Sequence, residues 1–162
     1  MKKILLSLAI IATLGAKAQS IGTKGGYAAG LGNYGPSWGA WVDGGKLGIE
    51  YNYSISNSEL KVSNDFSNVD FSYYISHSFG ITYKLKPESD GAGRTYIGGG
   101  LQSIYSEEIS SRGTRWQKDL LPYISLGVET NLNEAINFRA GLILGKVPTI
   151  NAGFGIRLTN LK

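Results

Sequence analysis

The sequence predicts an all-β protein, a closed up-and-down antiparallel β-barrel of eight strands. Three observations lead there. Large apolar and small polar residues alternate with a period of two, segment after segment. The polar set is dominated by Gly, Ser and Asn rather than by charge. After residue 20 no apolar run is long enough for a spanning helix, which needs roughly 20 residues.

The alternation is clearest in residues 46–56. Leu47, Ile49, Tyr51, Tyr53 and Ile55 take the odd positions, and Lys46, Gly48, Glu50, Asn52, Ser54 and Ser56 the even ones. Successive side chains point to opposite faces of a strand, so one face is apolar and the other polar. Residues 71–85 repeat the pattern, with Phe71, Tyr73, Ile75, Phe79, Ile81, Tyr83 and Leu85 opposing Ser72, Ser76, Ser78, Gly80, Thr82 and Lys84. In residues 120–128, Leu120, Pro122, Ile124, Leu126 and Val128 oppose Leu121, Tyr123, Ser125 and Gly127, and Glu129 continues the polar side. Residues 136–145 and 150–158 are cleaner still: Ile136, Phe138, Ala140, Leu142 and Leu144 in one, Ile150, Ala152, Phe154, Ile156 and Leu158 in the other. Weaker strands at residues 23–31, 37–42 and 94–105 complete the set, the last blurred by Gly98, Gly99 and Gly100. Glycine inside a strand marks curvature or close backbone approach. Eight is an even number, as a closed up-and-down barrel requires.

A soluble sandwich hides its apolar face and charges its outer one. Here the polar face is too small and too neutral for a water-exposed surface, and the other face carries large aromatics. The inverted assignment fits: a transmembrane barrel with the aromatic face in lipid and small residues filling an eight-stranded interior. Lys24, Glu50, Glu129, Arg139 and Arg157 then fall inside, all toward the end that holds the chain termini. Buried charges persist when paired. A cluster of complementary pairs is therefore expected, Glu129 with Arg139 first because their strands share a hairpin, and it acts as a structural plug rather than an ion path.

Residues 1–18 have a basic start (Lys2, Lys3), an apolar run and small residues Ala16 and Ala18, the layout of a secretory signal peptide. The domain expectation is a signal peptide at 1–18 and a barrel at 19–162. The net charge of +4 includes Lys2, Lys3 and Lys17; without them thirteen basic residues face twelve acidic ones. No basic face of the kind that binds nucleic acid is left. With no cysteine the chain has no disulfide, thiol nucleophile or thiolate metal site.

Connections at the terminal end fall at residues 43–46, 86–93 and 131–135, and at the other end at 32–36, 57–68, 106–119 and 146–148. The longest two, 57–68 and 106–119, lie at the end expected to face outward, as short periplasmic turns and long outer loops require. Loop 106–119 mixes Glu107, Glu108 and Asp119 with Arg112, Arg115 and Lys118, and the spacing matches no metal template. Trp38, Tyr53, Phe71, Tyr83, Tyr105 and Trp116 are candidates for aromatic girdles. His77, the only histidine, sits on the apolar side. Ser76 and Ser78 flank it but belong to the other face, which removes the simplest hydrolase reading. The glycine run lacks the lysine and following helix of a nucleotide loop.

On these residues the chain resembles the small outer-membrane β-barrel proteins of the OmpA/OmpX type, across the whole segment after the signal peptide. In its last strand Asn151, Gly153, Ile156 and Leu158 follow the polar-x-Gly-x-x-apolar-x-apolar order of that family's assembly signal. Members commonly end on an aromatic residue, whereas this chain continues through Thr159, Asn160 and Leu161 to Lys162. The resemblance implies residence in a bacterial outer membrane, outer-membrane lipid as surroundings, and the barrel assembly machinery as a partner during insertion. The expected function is structural or surface-interacting, through loops 57–68 and 106–119, with no catalytic, cofactor or metal residues. Alternatives are a small pore, a lipid-modifying outer-membrane enzyme, and a soluble lipocalin-like barrel with its apolar face turned inward.

Overall fold

The computed structural model describes residues 20–30, 33–57, 61–62, 69–85, 93–110 and 113–158, so the expected signal peptide at 1–18 lies outside the described residues. Its strands are β1 (Ser20–Gly30), β2 (Asn33–Gly44), β3 (Leu47–Asn57), β4 (Lys61–Val62), β5 (Val69–Lys84), β6 (Arg94–Ser110), β7 (Gly113–Asn131), β8 (Ile136–Leu144) and β9 (Thr149–Arg157). β4 is a two-residue piece paired with the start of β5. The other eight strands pair antiparallel with their sequence neighbours, and β1 pairs with β9, which closes an eight-stranded barrel.

The stagger follows from the register. A line of partners from Ser20 passes through Asp43, Gly48, Thr82, Gly98, Ser125, Ile143 and Thr149 and returns to β1 at Ala28, eight residues further along. A stagger of eight in an eight-stranded barrel tilts the strands by about 36°, and side chains just fill such an interior.

The alternation read from the sequence maps onto inside and outside. In β3, Glu50, Asn52 and Ser54 are buried while Leu47 and Tyr51 are exposed; in β5, Ser76, Ser78 and Thr82 are buried while Phe79, Ile81 and Tyr83 are exposed. The interior is crowded enough to dictate glycine. A Cβ on Gly127 or Gly141 would collide with the ring of Tyr96, so those two strand positions are held open for a buried aromatic. At the turn from β2 to β3, Gly45 has φ 82°, the left-handed conformation that tight hairpins demand.

Connection 106–119 is not a loop. Ser106 to Ser110 pair with Gln117 to Gly113, which makes it the outer part of a β6–β7 hairpin. The sequence concealed this because charged and polar residues occupy both faces there, and a strand pair with no buried side has no period-two signature. Asp43 and Gly44, read as a turn, belong to β2. Most of connection 57–68 lies outside the described residues.

The closed barrel should resist SDS: the unheated protein should migrate differently from the boiled one on a gel. Gly141→Val, which drives a side chain into Tyr96, should remove the unheated form.

Candidate functional site

Parity along each strand selects which charges enter the barrel, and the stagger brings them level. Lys24 of β1, Asp43 of β2, Glu50 of β3, Lys84 of β5, Glu129 of β7 and Arg139 of β8 form one ring near the terminal end, all buried. Lys24 Nζ lies 2.9 Å from Glu50 Oε2. Lys84 Nζ bridges Asp43 Oδ2 at 3.0 Å and Glu129 Oε1 at 2.8 Å. Arg139 sits at the centre: Nη1 donates to both oxygens of Asp43 at 3.3 Å, and the group reaches Glu50 Oε2 at 3.8 Å and Glu129 Oε2 at 3.9 Å. Its guanidinium carbon lies 3.7 Å from the ring centre of Tyr96 and 5.4 Å from that of Trp41. Arginine is suited to this place, since its flat cation both stacks on aromatic faces and forks onto carboxylates. Three cations face three carboxylates, so the ring is neutral.

Toward the other end the interior loses its charge. Ser37, Asn52, Ser54, Ser76, Ser78, Ser125 and Asn151 line the middle, with Tyr123 among them. Among the described residues, the Ser37, Ser76, Ser125 and Tyr123 hydroxyls, Asn52 Nδ2 and Asn151 Oδ1 have no hydrogen-bond partner, which makes this layer a natural place for buried water. An apolar cluster of Ala28, Tyr74, Ile104 and Val147, joined by Leu121, caps the interior. Gln102 holds the cap in place: Nε2 donates to Val147 O and Oε1 accepts from Val147 N, both at 3.0 Å. Lys146, beside Val147, bonds Asp119 Oδ2 at 2.6 Å and holds that carboxyl below the usual carboxylate range.

Lys24, Glu50, Glu129 and Arg139 are therefore brought together, whereas Arg157 stands apart at the terminal mouth, half-buried and without an ion pair among the described residues. Glu129 and Arg139, the pair expected first, are register partners and come within 3.9 Å, with shorter contacts from Glu129 to Lys84 and from Arg139 to Asp43. Asp43 and Lys84 were not among the expected residues. Lys84 already stood on the polar face with Ser76, Ser78 and Thr82, and Asp43 shares the parity of Ser37 and Trp41 one residue past the expected strand end, so following parity to the strand ends would have found both. In the last strand, Asn151 Nδ2 donates to Asn52 Oδ1 at 3.3 Å, Gly153 lies against Lys24, Ile156 points outward, and Leu158 follows the strand, half-buried.

The outer wall carries aromatics at several levels. Tyr83, near the terminal end, is exposed; Trp38 stacks on Tyr53 at 5.9 Å, and Tyr105 meets Trp116 at 5.3 Å. The side chain of Phe71 lies outside the described residues. His77 Nδ1 and Tyr51 Oη are 2.7 Å apart on this wall, and Ser76 and Ser78 are buried behind it. Across the strand pair His77 faces Ser103, with no hydrogen bond between the two. A groove of about 560 Å³ on the same wall is lined by Thr23, Gly25, Trp38, Phe138, Ala152 and Phe154, among others.

At the outer end β7 outruns β8, while β6 stays paired with β5 as far as Ile109. β7 pairs with β6 from residue 113 onward but with β8 only from residue 124, so among the described residues 114–123 pair with a strand on one side only. Trp116 and Leu120 on this stretch are exposed.

No family model matches the chain, and no curated protein does. Solved structures match in fold. Neisserial surface protein A superposes with a TM-score of 0.57 at 15% identity, covering 86% of this chain and 96% of its own. The attachment invasion locus protein Ail of Yersinia pestis gives 0.52 at 14%, covering 87% and 97%. The N-terminal barrel domain of Pseudomonas aeruginosa OprF gives 0.54 at 16%, covering 85% and 96%. The class is thus the small eight-stranded β-barrel, and the chain spans nearly the full length of each match.

Arg139→Leu strands two or more buried carboxylates and should lower stability by about 3–5 kcal/mol, measured by urea unfolding in detergent micelles. Lys24→Met combined with Glu50→Gln should cost less than the two single changes added together.

Proposed function

We propose that the chain is a closed outer-membrane barrel whose task is recognition at its outer end. The outward belt of Ile21, Leu47, Phe79, Ile81, Ile97, Leu101, Leu126, Val128, Ile150 and Phe154 is far too extensive for a water-facing surface, and hydrocarbon solvates it. The charged ring near one end and the Val147 cap at the other favour a filled cylinder over a pore.

The observation that carries the recognition role is the edge of β7 at residues 114–123, which no strand among the described residues pairs on its second side. A row of unpaired backbone groups is a template for a further strand. The hairpin's charges, Glu107, Glu108 and Asp119 against Arg112, Arg115 and Lys118, are balanced. That balance favours an extended protein segment, held by backbone hydrogen bonds and Trp116, over a polyanion. One solved Ail structure contains the heparin analogue sucrose octasulfate; a sulfated sugar is the competing ligand class here.

Excising residues 107–116 and closing the hairpin with Asn-Gly should leave the unheated gel form intact. Adhesion of vesicles carrying the barrel to immobilised extracellular proteins should be lost, and unchanged adhesion would count against the reading. In planar bilayers the intact barrel should be electrically silent, while steady conductance would revive the pore.

A further inference from the structure

At the terminal mouth, below the charged ring, Ser20, Lys84, Arg94, Glu129, Asn131, Asn137 and Arg157 from six strands line a recess of about 50 Å³. That is room for one or two water-sized groups, at about 30 Å³ each. The lining has three cations and one carboxylate. Glu129 already faces Lys84 and Arg139, so its charge is taken up by the ring. Lys84 is likewise engaged, by Asp43 and Glu129. Arg94 and Arg157 are left over: both are half-buried, and neither has an ion pair among the described residues. Two guanidinium groups at one rim repel each other unless an anion lies between them.

The floor supplies an independent sign. Asn137 is 1% exposed, yet neither its amide nitrogen nor its carbonyl oxygen has a hydrogen-bond partner among the described residues. A buried polar group left unsatisfied is costly, and this one lines the recess beneath the two arginines. Among the described residues nothing pairs the Asn137 amide donor or the two guanidinium groups that line this recess, and a bound anion satisfies all three.

We propose that this mouth is a binding site for a small oxyanion of the phosphate or carboxylate class. Arg94 and Arg157 grip it from the rim and Asn137 Nδ2 donates from below. The forked guanidinium matches the paired oxygens of either group. The site is separate from the outer hairpin and does not depend on a partner binding there.

The test is a titration of the full-length folded barrel in detergent, followed by NMR of the Asn137 side-chain amide and the arginine Nε–H groups. The probes are inorganic phosphate and acetate, with sodium chloride at matched ionic strength as the reference. Saturable shifts of the Asn137 amide are expected with one probe, beyond any chloride effect. Tighter binding of phosphate assigns a phosphoryl ligand, and tighter binding of acetate a carboxylate. Arg157→Gln should weaken binding at least about tenfold, as expected for loss of one charge-assisted hydrogen bond. Should that variant lose its unheated gel form, Arg94→Gln, at the opposite rim, serves instead. No saturable shift with either probe, a response equal to that of chloride, or binding unchanged in a folded Arg variant would overturn the proposal.

Discussion

The constraint on which the rest depends is the complete burial of Arg139. A guanidinium taken out of water costs several kcal/mol even after relaxation, and this one has no exposure at all. It persists because Asp43, Glu50 and Glu129 surround it while Tyr96 and Trp41 cover its faces. With Lys24 and Lys84 the charged ring draws on six of the eight barrel strands, and Tyr96 adds β6 as a seventh. The eighth, β9, makes space: Gly153 lies against Lys24 and Gly155 against Asn137. A stagger one step different would move carboxylates away from their cations, so ion pairing and strand register specify one another.

Inside and outside follow different rules. Outward residues are mostly apolar and range in size from Ala152 to Trp38, with local ring contacts such as Trp38 on Tyr53. Inward residues are under steric control, down to the glycines that make room for the Tyr96 ring. This explains why the polar face is poor in charge except in one ring, and why the outer end closes with an apolar cluster. The Gln102 amide mimics a strand partner for Val147, so a turn that would otherwise stand free is drawn into the mouth.

Toward the outer end β5, β6 and β7 continue together, held by backbone pairing and by contacts such as Tyr105 with Trp116. The terminal mouth is different in kind: its polar groups are built into six strands and move only with the barrel.

The sequence by itself determined the eight crossing strands and, in the five with clean alternation, which residues face inward, because a sheet with two different surroundings writes a period of two into such strands. It also placed Lys24, Glu50, Glu129 and Arg139 inside. It did not show the hairpin at 106–119, where charged and polar residues stand at both parities and the period disappears. It did not show which charges meet. Arg139 and Asp43 are 96 residues apart in the chain, and only barrel closure and its stagger of eight bring them within 3.3 Å. The same closure left Arg157 out of the ring and set it at the mouth beside Arg94 and Asn137, because height along the barrel is a property of the closed register and not of any one strand.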